Sequence, residues 1–179
     1  MKKVILFAAI LFFSISVMNV QAQAAAPIKG EAQLTLNLKA VQSIVVEGDV
    51  IINYETIGDY ADGKEGDKLT KLLVTSAGGF VIRAEAKTDL TDGDKTISVS
   101  TISLDAKGLG NTAGSTFLES ANLGKIGDVI PALITSPTGG ADKQYSVSYK
   151  GKGKNAYLEN YDQGGRTYTT TVVYTVSAS

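Results

Sequence analysis

The sequence predicts an all-β fold, an antiparallel β-sandwich of Ig-like, Greek-key kind with eight or nine strands. Three observations carry this expectation. Apolar residues recur with a period of two in short segments. Helical periodicity is nearly absent. Gly and Asp punctuate the chain at the spacing of sandwich turns, as in the Gly78-Gly79 and Asp92-Gly93 steps.

The elements follow in order. From Glu31 to Lys39, Leu34, Leu36 and Leu38 alternate with Thr35, Asn37 and Lys39, which predicts a half-buried first strand. Ile44 to Val46 and Val50 to Glu55 form a second region around Gly48-Asp49, which suggests a turn or a bulge, with Val50, Ile52 and Tyr54 on one face. Residues 56–67 read as a polar loop. Leu69 to Ser76, Phe80 to Lys87 and Lys95 to Leu104 read as a three-stranded meander, with glycines and an Asp-Gly step at its two turns. Ala106 to Gly114 reads as a loop. Ser115 to Leu118 reads as a short strand or as part of that loop. Val129 to Thr135 carries Pro131, which suits an edge strand or a bulge. Lys143 to Lys150 places Tyr145, Val147 and Tyr149 on one face. Residues 151–165 form a second long loop, and Arg166 to Ser177 is the last alternating strand.

The start of the chain predicts an address. Lys2 and Lys3 precede an apolar run of 14 residues, Val4 to Val17, and Val20-Gln21-Ala22 and Ala22-Gln23-Ala24 both satisfy the small-x-small rule. Residues 1–24 therefore read as a signal peptide cleaved after Ala22 or Ala24, and residues 25–179 as a single domain. The run is shorter than the roughly 20 residues needed to span a bilayer, so no transmembrane segment is expected after cleavage. The predicted location is the periplasm, the cell surface or the extracellular space.

Composition narrows the function classes. The 179 residues hold 17 Lys+Arg against 18 Asp+Glu, for a net charge of −1, with no His, Cys or Trp. Loss of the leader removes two lysines and no acid, leaving 15 basic against 18 acidic residues and a net charge of −3. Such a chain is no nucleic-acid binder by charge. Without His or Cys it has no thiol nucleophile, no Ser-His-Asp triad and no ordinary zinc site. No Ser-x-x-Lys spacing occurs. An eight-stranded outer-membrane barrel has similar length, but the absence of Trp leaves its aromatic girdles unprovided for.

Three stretches, Leu36 to Ile44, Tyr145 to Tyr149 and Thr167 to Val176, together with the leader, resemble small exported β-sandwich proteins of Bacteroidota-type bacteria, similar in pattern to fimbrial subunits. The resemblance implies a structural role at the surface or in the periplasm. With the usual acid–base residues missing, the expectation is a structural or adhesive protein without enzymatic activity. It carries over no site residue. The partners expected are other surface proteins, the protein itself or a surface glycan.

The alternative is a monomeric glycan- or calcium-binding module using loops 56–67 and 151–165. Tyr60, Tyr157 and Tyr161 lie in those loops and are the candidate ligand-binding residues, while Tyr54 and most strand tyrosines are expected in the core, with the hydroxyl at the sandwich edge. Asp89, Asp92 and Asp94 are the candidate metal ligands, because a hard cation such as Ca²⁺ gathers closely spaced oxygens. Asp and Gly are also turn formers, and these aspartates sit where turns are required. No cofactor is otherwise expected. Lys150 to Lys154 is a Gly-spaced basic run, read as a solvated loop. Self-assembly by a dedicated N-terminal donor strand is not expected. Residues 23–30 hold one large apolar residue, Ile28; the strand Glu31 to Lys39 could itself swap, but pairing within its own chain is the simpler fate.

Overall fold

The computed structural model describes residues 29–161 and 165–179. The predicted leader and its cleavage point lie outside them. The chain divides into two units, residues 1–37 and 38–179.

The second unit is mostly β. In chain order it holds β1 (Gln42–Glu47), a short helix α1 (Ile57–Asp62), β2 (Lys64–Glu65), β3 (Thr70–Ser76), β4 (Phe80–Ala86), β5 (Leu90–Thr91) and β6 (Thr96–Ile97). There follow β7 (Ile102–Gly110), β8 (Thr116–Phe117), β9 (Ala121–Asn122), β10 (Gly124–Lys125), β11 (Ile134–Ser136), β12 (Gly140–Gly151) and β13 (Val172–Ala178). The thirteen strands among the described residues exceed the eight or nine expected. Six of them are two-residue pairings formed where the chain crosses between longer strands.

One sheet runs β1-β3-β12-β7-β9, with β2 continuing alongside β12. The other is built on β4, which pairs with β13 along one side and with β11 and β10 along the other; β8 follows β11. The β5–β6 hairpin stands apart. Its turn holds Gly93 at φ 103°, the conformation that the Asp-Gly step signals.

Both sheets turn apolar residues into one core. Leu72 and Val74 of β3, Leu104 of β7, and Tyr145 and Val147 of β12 come from one sheet; Phe80, Ile82, Ala84 and Ala86 of β4 and Tyr174 of β13 come from the other. The strict alternation in β3 and β4 is therefore the inward face of each strand. Phe80 meets Tyr145 edge-on at 6.3 Å between ring centroids. The Tyr149 and Tyr174 hydroxyls join across the core at 2.5 Å.

The structure corrects several expectations. Residues 69–104 are not a meander: β3 and β4 lie in different sheets and pair with other strands. The turn at 77–79 is a corner between sheets, held by the Ser76 hydroxyl donating to the Gly78 carbonyl at 2.8 Å. The expected strand from Lys95 to Leu104 is split by a 3-10 turn at Val99–Thr101. Its second part runs on to Gly110, through the expected Ala106 to Gly114 loop. Val129 to Leu133 forms no strand, and β11 begins only at Ile134. The last strand begins at Val172, not Arg166, with Thr169 making a single bridge to Thr91. Val50 to Glu55 forms no ladder, yet Val50, Ile52 and Tyr54 are half-buried while Ile51, Asn53 and Glu55 are exposed, as the alternation requires.

The largest departure is the first predicted strand. Glu31 to Lys39 belongs to no strand, and Leu34, Leu36 and Leu38 are 94%, 77% and 83% exposed. Alternation specifies which face a strand would bury. It does not supply the neighbour that buries it.

Candidate functional site

The two predicted loops meet. Residues 57–62 of the first loop are helical because Thr56 and Asp59 form a reciprocal capping box. The Asp59 N–H donates to the Thr56 hydroxyl at 3.2 Å, and the Thr56 N–H donates to the Asp59 carboxylate at 2.8 Å. The Thr-x-x-Asp spacing was the available sequence signal for this helix. Lys64 pairs with Asp59 at 2.8 Å. That ammonium, followed by the Glu55 and Thr56 N–H groups, holds the Asp59 carboxyl well below the usual carboxylate range.

Loop 151–165 docks onto this helix through its backbone. The Lys154 N–H donates to the Ala61 carbonyl at 2.7 Å, and the Asn155 N–H to the Tyr60 carbonyl at 2.8 Å. The approach requires glycine on both sides. A Cβ on Gly63 would stand 2.5 Å from the Gly151 carbonyl oxygen, and one on Gly153 would stand 2.5 Å from the Asp62 carbonyl carbon.

Three tyrosine rings pack at this junction. Tyr54 lies 5.1 Å from Tyr60 and 5.0 Å from Tyr157 between ring centroids. The Tyr54 hydroxyl donates to the Lys152 carbonyl at 3.0 Å. Burial, then the neighbouring Tyr157, pushes that hydroxyl's pKa up, so it remains a donor. The Tyr157 hydroxyl donates to the Thr101 carbonyl at 3.1 Å and accepts the Lys152 N–H at 3.0 Å. The structure thus brings Tyr60 and Tyr157 together, joined by Tyr54, which was expected in the core. Tyr161 is exposed, beyond the 3-10 turn at Leu158–Asn160.

The three aspartates have separate surroundings. Asp89 accepts the Val99 N–H at 3.1 Å and pairs with Lys125 at 2.9 Å. The Lys125 ammonium, with the Val99 N–H, lowers its pKa. Asp92 accepts the Asp94 N–H at 3.0 Å and the Lys95 N–H at 2.8 Å through one oxygen, the bonding of an Asx turn. Its other oxygen pairs with Arg166. The Lys95 N–H, followed by the Arg166 guanidinium, brings its pKa down to about 2. Asp94 is exposed at the hairpin tip. Among the described residues no three acidic side chains gather as a metal-holding group.

One pairing escaped the sequence reading. Lys143, nearly fully buried, donates to the Ser136 hydroxyl at 3.1 Å and stands 6.0 Å from the Phe80 ring centroid. The signal was there: Lys143 has the parity of Tyr145, Val147 and Tyr149, and so faces inward. A Ser-Lys pair can act as nucleophile and base. Here the lysine donates, the serine proton goes to the Thr138 carbonyl at 2.9 Å, and Ser136 is fully buried. This is a satisfied polar cluster at one end of the core.

The remaining feature is apolar. Among the described residues, Leu34, Leu36, Leu38, Val41, Val45 and Val46 are large, apolar and exposed within 13 consecutive positions. A shallow notch of about 220 Å³, lined by Val41, Ala77 and Ala178 among others, opens where the chain enters β1. Compared with known proteins, the chain matches no family model and no curated protein.

Proposed function

We propose that the protein is an exported, non-enzymatic structural or adhesive protein of the bacterial surface or periplasm, of fimbrial-subunit kind. In this reading residues 1–24 are a cleaved leader and the folded unit is an antiparallel Greek-key β-sandwich. The observation that carries it is the exposed apolar segment Leu34 to Val46, which ends in the edge strand β1. Large contiguous apolar exposure marks an interaction surface in a soluble protein. An uncovered sheet edge offers backbone groups to another chain.

Fractionation of cells, with unheated and boiled samples compared on a denaturing gel, tests this reading. A ladder in the surface fraction that collapses on boiling is the expected result. A single soluble species would overturn it.

The alternative, a monomeric module for glycan or Ca²⁺, is favoured by the Tyr54, Tyr60 and Tyr157 cluster, where the two loops join. Its test is thermal unfolding with added Ca²⁺ or surface glycan, because a ligand that binds only the folded state raises the midpoint by mass action.

A further inference from the structure

We propose that the protein forms a closed two-fold dimer in which the open edges of two copies of β1 pair antiparallel about an axis at Val45, joining one sheet of each copy into a continuous sheet. This inference goes beyond the structural-subunit reading and does not depend on it.

The edge is unguarded. Among the described residues β1 pairs with β3 alone. Natural edge strands are blunted by Lys, Pro, a bulge or short length. β1 has none of these: Gln-Ser-Ile-Val-Val-Glu holds no Lys or Pro, and its six residues pair with β3 in one unbroken register. The strand at the far end of the same sheet, β9, is two residues long. β13, which among the described residues is the long edge strand of the other sheet, leaves only Thr175 and Ala178 exposed, whereas every β1 residue but Ile44 is exposed. Val45 and Val46 are 49% and 45% exposed.

Backbone phase fixes what the edge offers. The Ala77 N–H donates to the Val41 carbonyl at 2.9 Å, in register with the β1–β3 ladder. Residues of an antiparallel strand alternate between facing one neighbour and facing the other. Val41, Ser43, Val45 and Glu47 therefore turn their N–H and C=O groups toward β3, and Gln42, Ile44 and Val46 turn theirs to the open edge. The side chains follow the same parity. Gln42, Ile44 and Val46 lie opposite the buried Ser76, Val74 and Leu72 and so face the core, while Ser43, Val45 and Glu47 face out.

A two-fold axis through a residue of β1 matches both parities at once: inward side chains meet inward ones, and edge-facing groups meet edge-facing groups. An axis between residues mismatches both. With the axis at Val45, Ile44 of each copy exchanges backbone hydrogen bonds with Val46 of the other, and each Ile44 side chain lies over the exposed flank of a Val46. On the outer face Val45 meets Val45 of the second copy, and Ser43 meets Glu47, hydroxyl to carboxylate. An axis at Ile44 would set the polar Gln42 beside Val46. An axis at Val46 would set Ile44 beside Gly48, where φ is 98° and the carbonyl accepts the Thr70 hydroxyl at 3.2 Å, so the edge has ended. The axis at Val45 pairs apolar with apolar on the inward face. The contact uses the same patch on both copies, so it closes at two.

The test uses the full chain. Sedimentation equilibrium over a range of concentrations is expected to show monomer and dimer. Val45→Lys, an outward and exposed substitution checked for folding by circular dichroism, sets two ammonium groups together at the axis and is expected to weaken dimerisation at least about tenfold. Val45→Glu is expected to do the same. An equal mixture of the two is expected to recover dimers, because opposite charges then meet. The chain has no cysteine of its own, so an introduced one reports the geometry without background. Residues opposite each other in a non-hydrogen-bonded antiparallel pair have Cα atoms about 4.5 Å apart, within disulfide reach. Val45→Cys is expected to give a covalent dimer on a non-reducing gel after mild oxidation. Ser43→Cys and Glu47→Cys are expected to crosslink when mixed and not singly. A monomeric wild type overturns the proposal, as do Val45→Lys and Val45→Glu variants that dimerise as wild type does. So does a Val45→Cys chain that stays uncrosslinked. None of these outcomes touches the structural-subunit reading, which the ladder from cell fractions decides; a soluble dimer without that ladder overturns the reading and leaves the dimer standing.

Discussion

The segment Glu31 to Lys39 and the strand β13 carry the same period-two alternation, yet only β13 is built into a sheet. The difference lies in what holds each one against a neighbour. β13 runs beside β4 through seven consecutive residue pairs, from Val172–Ala86 to Ala178–Phe80. Its approach is tied by Arg166 to Asp92, by the bridge between Thr169 and Thr91, and by the Lys87 N–H donating to the Thr171 carbonyl at 2.9 Å. Its end is tied by the Ser179 N–H donating to the Gly79 carbonyl at 3.2 Å. Among the described residues Glu31 to Lys39 forms no ladder, and the nearest tie in chain order is the Val41 carbonyl to the Ala77 N–H. A strand is a relation between two segments, so a pattern shared by both can be realised in one alone.

The contrast can be broken first at the neighbour of β13. Ile82 is fully buried and lies opposite Val176. Ile82→Ala should cost about 2–5 kcal/mol in urea unfolding, from lost transfer energy plus the cavity left behind. Tyr174→Phe tests the tie between sheets. It leaves the Tyr149 hydroxyl without its 2.5 Å partner and should cost about 1–3 kcal/mol in the same assay.

A pH titration addresses the approach to β13. The Asp92 carboxyl is lowered from 3.8 to about 2 in the folded chain. A lowered folded-state pKa means that its stabilisation is fully present above the unfolded pKa and is lost as pH falls through the folded one. The thermal midpoint of wild type should therefore fall between about pH 4 and pH 2. Asp92→Asn should lower the midpoint at neutral pH and flatten this part of the acid transition. Asp59 and Asp89 have lowered pKa values as well, so some acid dependence should persist in the variant.

The smallest effect is expected in the other half of the comparison. Leu36→Ser should change stability by less than about 0.5 kcal/mol at concentrations where the chain is monomeric, because Leu36 is already exposed. The corresponding inward position of β13, Val176, is packed against the core. Val176→Ser should be clearly destabilising in the same urea assay, which makes the pair an internal control.

Some of this architecture was legible in the sequence. The inward faces of β4 and β12 follow from alternation, and the β5–β6 turn from Asp-Gly, because a strand's face and a turn's φ are local properties. Sheet membership was not legible. Ala77-Gly78-Gly79 reads as a hairpin turn, but nothing in three residues says whether the strands beside it pair with each other or turn a corner. The site was less legible still. Tyr60 and Tyr157 were named as loop residues, but their meeting through Tyr54 depends on backbone bonds between residues about ninety positions apart in sequence. Asp92 could be placed in its turn from Asp-Gly, whereas its partner Arg166, far along the chain, could not.

The sequence by itself determined the β character, the Asp-Gly turn and the inward faces of β4, β12 and β13, because these depend on residues a few positions apart. Tertiary structure alone decided which strands share a sheet, that two loops close over a tyrosine cluster, and that the inward-facing Lys143 meets Ser136. It also decided that the leucine alternation of Glu31 to Lys39 has no strand partner among the described residues. The physical reason is one of range. Side-chain periodicity and backbone preference act within a strand or turn, while burial is granted only by whatever else the chain, or another chain, brings alongside.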